Sequence, residues 1–344
     1  MTPPSPAKVA FLVVTWNNHD IVADCLESLL AQTGVVPVVH VWDNASADAT
    51  PAVVRRYPAV RLTVSKTNDG FARGNNELIR QALLDPAVEY LALVNSDARL
   101  DPAWASTLVD FARTRSGVGA LQGLTLDYYD HRVVDSHHIC LNLRLQGVQY
   151  GYGQLLVDLP RAPLDLARAP VKVFGVNAAA GLYSRSLAEG LPDRAHGFFD
   201  QRFFMYYEDV DVSYRALTAG FESYCVPAAR AYHMGSASTK RRGSAYSQRM
   251  VARNQAAMII KSTPLDVLVH CAPQYARGLA RFMRDIDRQQ GRRAMLGVLG
   301  QWLFGLVTAP RYLGSRWRVR RAARLSSDGL MAYLGHDGMI PADA

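Results

Sequence analysis

Val9-Ala10-Phe11-Leu12-Val13-Val14-Thr15-Trp16-Asn17-Asn18 begins as an unbroken apolar, β-branched run and closes on polar side chains. A run of that length without alternation is a strand covered on both faces. A helix follows: Ile21, Val22, Cys25, Leu26, Leu29 and Leu30 recur at helical spacing between about residues 20 and 32. The unit then repeats. Residues 35–42 end in Asp43-Asn44-Ala45-Ser46 before a helix over about 47–57. Residues 60–64 precede Asn68-Asp69-Gly70-Phe71-Ala72-Arg73-Gly74-Asn75-Asn76 and a helix to about residue 84, and residues 88–94 end in Asn95-Ser96-Asp97. Buried strands alternating with helices predict an α/β fold whose sheet is mostly parallel and covered on both faces. In such sheets a ligand sits outside the carboxyl ends of the strands, and here those ends carry the polar residues.

The 344 residues suffice for one large or two modest domains. The formal charge of +8 is unevenly placed: residues 277–324 hold twelve Arg against Asp285 and Asp287, a local balance of +10, so the remainder is close to neutral. With no recognised RNA or DNA motif beside it, that charge does not point to nucleic acid. Cys25, Cys140, Cys225 and Cys271 stand singly, which argues against zinc or a redox pair and fits a reducing cytoplasm. Residues 1–7 are Pro-rich and run straight into the first strand, leaving no room for a secretory leader. No uncharged apolar run reaches the roughly 20 residues of a spanning helix. The fingerprint G-x-G-x-x-G is absent, against a dinucleotide dehydrogenase.

Each polar strand end alone is ordinary turn chemistry. Together they suggest a binding site. Asp43 can accept a hydrogen bond from a base or ribose, and Gly70 and Gly74 let backbone approach a phosphate. Asp97 supplies a carboxylate from which Mg²⁺ or Mn²⁺ could reach a diphosphate, the plainer alternative being a capping turn into the helix after Asp101-Pro102. A second cluster is Phe203-Phe204-Met205-Tyr206-Tyr207-Glu208-Asp209-Val210-Asp211-Val212-Ser213-Tyr214-Arg215. Acids are at home at a helix N-terminus, so its three carboxylates could be no more than a cap. At about 100° per residue Glu208 and Asp211 share a face, while Asp209 points elsewhere, toward the side of Ser213.

On Val13-Val14-Thr15-Trp16-Asn17, Asp43-Asn44-Ala45-Ser46, the Asn68-to-Asn76 run, Asn95-Ser96-Asp97, Tyr207-Glu208-Asp209-Val210-Asp211 and His233-Met234-Gly235-Ser236, the chain resembles the inverting glycosyltransferases of family 2. Its likeness is to the rhamnosyltransferase-like branch that builds bacterial O-antigen and cell-wall polysaccharides. The resemblance spans residues 8 to about 260. It implies a GT-A fold, a nucleotide diphosphate sugar donor, and an acceptor that is a glycan or polyprenyl-linked glycan. It also implies a divalent cofactor, Mg²⁺ or Mn²⁺, held by Asp97 and His233. The donor would lie along Thr15, Asn17, Asp43, Asn68, Gly70, Gly74, Asn95 and Ser96. Asp209, the second acid of the Glu-Asp pair, would be the general base. Asn95 replaces the first carboxylate of the family's D-x-D motif, leaving the ion one protein charge fewer. Two rivals remain: a sugar-nucleotide-binding scaffold subunit, which would not need Asp209, and a nucleotidyltransferase, which would need a second metal carboxylate in place of Asn95.

Residues 118–169 show no clean periodicity, with Tyr128, Tyr129, Tyr150 and Tyr152 suited to sugar faces or to burial. His137-His138, read as strand neighbours, point to opposite faces and do not share a ligand. Residues 171–184 fall where the resemblance implies a sheet strand beneath the donor sugar, and their small residues, Gly175 to Gly181, leave space for a ring; residues 221–232 read as a strand ending in His233. Lys240-Arg241-Arg242-Gly243 is either a phosphate clamp or a solvated turn. The expected division is a catalytic domain over 1–262, with a nucleotide half (8–115) and an acceptor half (116–262), then a basic amphipathic helical extension over 263–344. That extension, with Trp302, Tyr312 and Trp317 available at headgroup level, predicts docking on the anionic inner face of the cell membrane. The alternative is packing on the core or in a homo-oligomer.

Overall fold

The computed structural model describes residues 5–161, 165–235, 244–335 and 339–340, so Ser236 and the Lys240-Arg241-Arg242-Gly243 run lie outside the described residues. In β1 (Ala7–Thr15) the side chains alternate between two apolar layers: Val9, Phe11 and Val13 enter one, Ala10 and Leu12 the other. That is why the run shows no polar alternation. β2 (Val35–Asp43) and β4 (Val88–Val94) flank β1 in parallel, and β3 (Val60–Val64) extends β2. Helices α1 (Val22–Leu30), α2 (Thr50–Val54) and α4 (Trp104–Arg113) cover the first layer, and α3 (Gly70–Ala82) covers the second.

Beyond β4 the sheet runs through β11 (Ala180–Ser184), β6 (Val118–Asp127), β12 (Glu222–His233), β10 (Val171–Val173) and β13 (Met339–Ile340). β11 is antiparallel to both neighbours and β6 is parallel to β12, so the sheet is mixed. β5 (Ala98–Leu100) attaches to β12 and β7 (Val134–Ser136) to β6, while β8 (Ile139–Leu141) and β9 (Gly147–Gln149) make a separate hairpin.

Three sequence expectations are corrected here. The stretch read as irregular holds β6, nine of whose ten residues are buried. Its glycines and Gln122 leave neither alternation nor a purely apolar run, and Gly123 is required because a Cβ would collide with the Ala229 carbonyl where β12 bulges. The strand expected over 171–184 is broken into β10 and β11, since its middle turns out of the sheet toward a cavity. His137 and His138 lie between β7 and β8, not within a strand, and their Nδ1 atoms are 2.8 Å apart. His137 Nε2 donates to the Leu166 carbonyl (2.8 Å), and burial lowers the His137 pKa to about 4, so His137 is a neutral, hydrogen-bonded core residue.

After α5 (Arg185–Gly190) and α6 (Glu208–Thr218) come α7 (Ser244–Ser262), α8 (Leu265–Gln290), α9 (Arg292–Val307), α10 (Leu313–Ala322) and α11 (Ser327–Gly335). Val267, Cys271, Tyr312, Leu330 and Tyr333 share one apolar cluster with Val210 and Tyr214 of α6 and Met258 of α7. Arg316 caps α7 by donating to the Ile260 and Thr263 carbonyls (2.7 and 2.8 Å), and the Arg324 N–H caps α6 at Thr218 O (2.6 Å). Two aromatic residues expected at headgroup level are turned inward. Tyr312 is buried under the Arg202 guanidinium, and Trp302 donates to Tyr275 Oη (2.8 Å).

Candidate active site

Register creates the first half of the site. β5 pairs Ala98 with His233, so Asp97, one residue earlier, meets the imidazole: Asp97 Oδ1 lies 3.3 Å from His233 Nε2. Asn95 Nδ2 approaches the same nitrogen at 3.2 Å. On the far side of the ring Nδ1 is 3.0 Å from Asp135 Oδ2 of β7. Burial opposes a charged imidazole here, but hydrogen bonds and charge from Asp135 and Asp97 outweigh it and raise the pKa to about 10. The donor chemistry suits a divalent cation: a carboxylate oxygen, and an imidazole whose other nitrogen is oriented by an outer carboxylate. Among the described residues no group of three or more His, Cys, Asp or Glu side chains is arranged to hold an ion, so an ion held by Asp97 and His233 would need diphosphate or water to complete its shell. Asp135 was missed because nothing in sequence sets the short β7 beside β6, from where its side chain reaches His233 of β12.

The second half is the start of α6. Glu208 and Asp209 both line a cavity of about 350 Å³ together with Asn95, Ser96, Asp97, Asn177, Gln149 and His233. The helical-wheel expectation is corrected: the cavity meets the helix end-on, so consecutive residues reach it, and Asp211 alone turns into the core. There Asp211 is fully buried and bonded to Arg215 Nε (2.8 Å) and Lys261 Nζ (3.0 Å). Lys261 also meets Asp200 (2.9 Å) and Asp193 (3.8 Å), which pair in turn with Arg202 and Arg318.

Burial splits the two cavity acids. It pushes Glu208 well above the usual carboxylate range, helped by the Asp209 charge, and leaves Glu208 Oε2 without a partner. It raises Asp209 only to about 6, because backbone N–H groups of Val210 (2.8 Å) and Ala178 hydrogen-bond its carboxylate. Burial therefore favours the protonated form of Glu208, while Asp209, near 6, is ionised at neutral pH.

The chain enters α6 through unusual backbone. Phe204, Tyr206 and Tyr207 have φ of 67°, 69° and 70°, a region that bulky side chains rarely occupy. Gly70 sits beneath them, its φ being +82°. A Cβ there would lie 2.5 Å from the Phe204 ring and 2.6 Å from its carbonyl oxygen.

The remaining predicted residues stand at the same strand ends without lining the cavity. Thr15 and Asp43 are buried, and Asp43 accepts from Ser46 N (3.0 Å) and Ser46 Oγ (2.6 Å). Asn17 Oδ1 accepts from Ala47 N (2.8 Å), and Asn68 Oδ1 from Gly70 N (3.1 Å). Gly74 packs against Val14 and Trp42. The absence of a side chain at Gly70 and Gly74 is thus explained by protein contacts.

Comparison with known proteins bears on the family and the fold. The family profile "Glycosyl transferase family 2" matches residues 10–154. The chain is 31% identical over 240 residues to an N-acetylglucosaminyl-diphospho-decaprenol L-rhamnosyltransferase of Mycobacterium tuberculosis, covering 67% of this chain and 77% of that protein. Among solved structures it resembles the Pyrobaculum calidifontis mannosyltransferase PcManGT, determined with GDP-Man and Mn²⁺ (TM-score 0.51, 17% identity, 92% of this chain and 86% of that one). It also resembles TarS of S. aureus (TM-score 0.56, 16% identity, 96% and 53%). These structural likenesses concern the fold, which is that of GT-A glycosyltransferases.

Proposed function

The chain belongs to glycosyl transferase family 2, and from that premise we propose that it is an inverting, metal-dependent enzyme. In this reading it moves a sugar from a nucleotide diphosphate donor to a hydroxyl of a growing lipid-linked bacterial glycan. The observation that carries the reading is Asp209, a carboxylate with a pKa near 6 beside a neutral Glu208, in the same cavity as Asp97 and His233. Asp97 and His233, with Asn95 beside them, are the residues that would hold Mg²⁺ or Mn²⁺. Such an ion, when bound, offsets the negative charge that grows on a departing diphosphate.

Asp209 takes the proton of the acceptor hydroxyl as its oxygen attacks the anomeric carbon. The bond from that carbon to the diphosphate oxygen breaks on the opposite face, its electron pair leaves with the diphosphate, and configuration inverts. A general base of this kind contributes about 10²- to 10⁴-fold. Thr15, Asn17, Asp43, Asn68, Ser96 and the backbone at Gly70 and Gly74 form the nucleotide side. L-Rhamnose, named for the mycobacterial relative, is the first sugar to test.

The C-terminal helices supply the docking face. On α9, Leu296, Leu303 and Val307 fall at i, i+7 and i+11 and are 54%, 47% and 77% exposed, with Trp317 of α10 61% exposed. Arg292 and Arg293 open α9 and Arg311, Arg320 and Arg321 follow it in the chain, all exposed, with the Arg321 guanidinium 5.1 Å from the Trp317 ring centroid. No helix among the described residues is long and apolar enough to cross a membrane. The stripe therefore lies on the anionic cytoplasmic leaflet, where a polyprenyl-linked acceptor is presented.

The test is a panel of nucleotide sugars, a rhamnosyl donor included, with Mn²⁺ or Mg²⁺, scored by thermal shift and by transfer to a polyprenyl-diphosphate-linked N-acetylglucosamine. One donor should stabilise the protein and be turned over, and Asp209→Asn should keep that stabilisation while losing about 10²- to 10⁴-fold in rate. Near-normal turnover by Asp209→Asn refutes the assignment. Sedimentation with anionic vesicles should weaken in Leu303→Ser/Val307→Ser, and unchanged sedimentation would give the stripe to an oligomer contact.

A further inference from the structure

Asn254 is fully buried in the middle of α7, where an Asn gains nothing for the helix. Its Nδ2 reaches three backbone carbonyl oxygens of one turn: Phe203 (3.0 Å), Met205 (2.8 Å) and Tyr206 (2.8 Å). Two amide hydrogens are thus shared among three acceptors. The amide is itself oriented, because Arg253 Nε donates to Asn254 Oδ1 (2.8 Å) and Arg253 Nη2 adds a bond to Phe203 O (2.8 Å).

The turn so held is the one that opposes steric preference. At Phe204, φ 67° and ψ −60° with Met205 N bonded to Phe203 O (2.8 Å) make the strained, positive-φ form of γ-turn, and Tyr206 and Tyr207 follow in the left-handed region. Such backbone persists only when its surroundings over-determine it. On one side it touches the nucleotide half, with Ala72 N donating to Phe204 O (3.1 Å) above Gly70. On the other it leads within two residues to Asp209. Of this turn's carbonyls, those of Phe203, Met205 and Tyr206 are gathered by Arg253 and Asn254.

We infer that Asn254 is a positioning residue for glycosyl transfer: its amide, aligned by Arg253, clamps the Phe203–Tyr207 turn and so fixes where the Asp209 carboxylate stands relative to donor and acceptor. The inference rests on the glycosyl-transfer reading above. A displacement of the base by an ångström is enough to matter, since misplacement on that scale costs about 10²-fold in rate.

The experiment uses the full chain. Asn254→Asp keeps the shape and replaces the N–H donors with an acceptor oxygen facing three carbonyls. It is expected to lower kcat about 10- to 100-fold with donor KM within about threefold of the wild type. It should also quicken amide hydrogen exchange across residues 203–211 while exchange in β1 and β4 is unchanged. Arg253→Gln should shift both readouts the same way by less, and it keeps the test decisive should Asn254→Asp not fold. Unchanged kcat overturns the inference. So does a loss of kcat matched by an equal rise in donor KM with exchange quickened throughout, the mark of a residue that only supports the fold. A wild-type chain that transfers no sugar refutes the glycosyl-transfer reading instead, and it is told apart because the exchange measurement needs no substrate.

Discussion

The pH dependence of transfer follows from how the cavity treats its two acids. Burial raises Asp209 to about 6, and hydrogen bonds from Val210 N and Ala178 N keep it from rising further. The ionised form is the proposed base, so kcat/KM should be flat above about pH 7, half-maximal near 6, and approach a fall of about tenfold per pH unit below about pH 5. At pH 5 about a tenth of the activity remains. Glu208 supplies the internal control. Because burial holds it protonated at neutral pH, Glu208→Gln exchanges one neutral hydrogen-bonding group for another. The acid limb should stay within a few tenths of a unit, with kcat reduced by less than about tenfold. An ionised Glu208 would behave differently, since deleting a neighbouring negative charge would draw the Asp209 pKa down and shift the limb by a unit or more. The assay is initial-rate transfer between pH 4.5 and 8.5 at fixed ionic strength, on wild type, Glu208→Gln and Asp209→Asn. A wild-type limb near the free-carboxylate value of about 4, or a limb moved a full unit by Glu208→Gln, refutes the division of roles.

Further outcomes are specific. Gly70→Ala, placed at φ +82° against Phe204, should lower stability by at least about 1–2 kcal/mol in urea unfolding and reduce kcat by disturbing the turn above it. In the buried ion network, Lys261→Met leaves Asp193, Asp200 and Asp211 facing Arg318, Arg202 and Arg215, whereas Asp211→Asn leaves the buried Arg215 and Lys261 short of a carboxylate. Urea unfolding should therefore show Asp211→Asn costing about 3–5 kcal/mol and Lys261→Met distinctly less. Asp135→Asn, which weakens the hold on His233 Nδ1, should raise the Mn²⁺ concentration for half-maximal transfer about 10- to 100-fold, read from metal titrations of rate.

The parts of this molecule legible in sequence are those where local pattern and tertiary role agree. β4 could be bounded to the residue and β1 to within two because strands buried on both faces are written as apolar runs. β6 is equally buried but packs glycines and a glutamine into close backbone approaches, so its signal is steric and absent from any hydrophobicity pattern. At the site, Asp97 could be named because it closely follows a buried strand, and Asp209 through the family resemblance, and the structure brings both to one cavity. Asp135 and Asn254 could not be. The first depends on the register of a three-residue strand, and the second on a helix folding back over fifty residues to reach three carbonyls.

The caps that α10 and the residues after it place on α6 and α7 bear on the order in which a ribosome delivers this chain. The N-terminal sheet can fold as it emerges, at about 5–20 residues per second. The carbonyls at Thr218, Ile260 and Thr263 receive their donors only when Arg316 and Arg324 have been made. Val210, Tyr214 and Met258 likewise wait for Tyr312, Leu330 and Tyr333 to cover them. Until then the helix that carries Asp209 has an open end and an uncovered face. Synthesis of the segment that carries the exposed stripe and its arginines is therefore also what completes the support of the base.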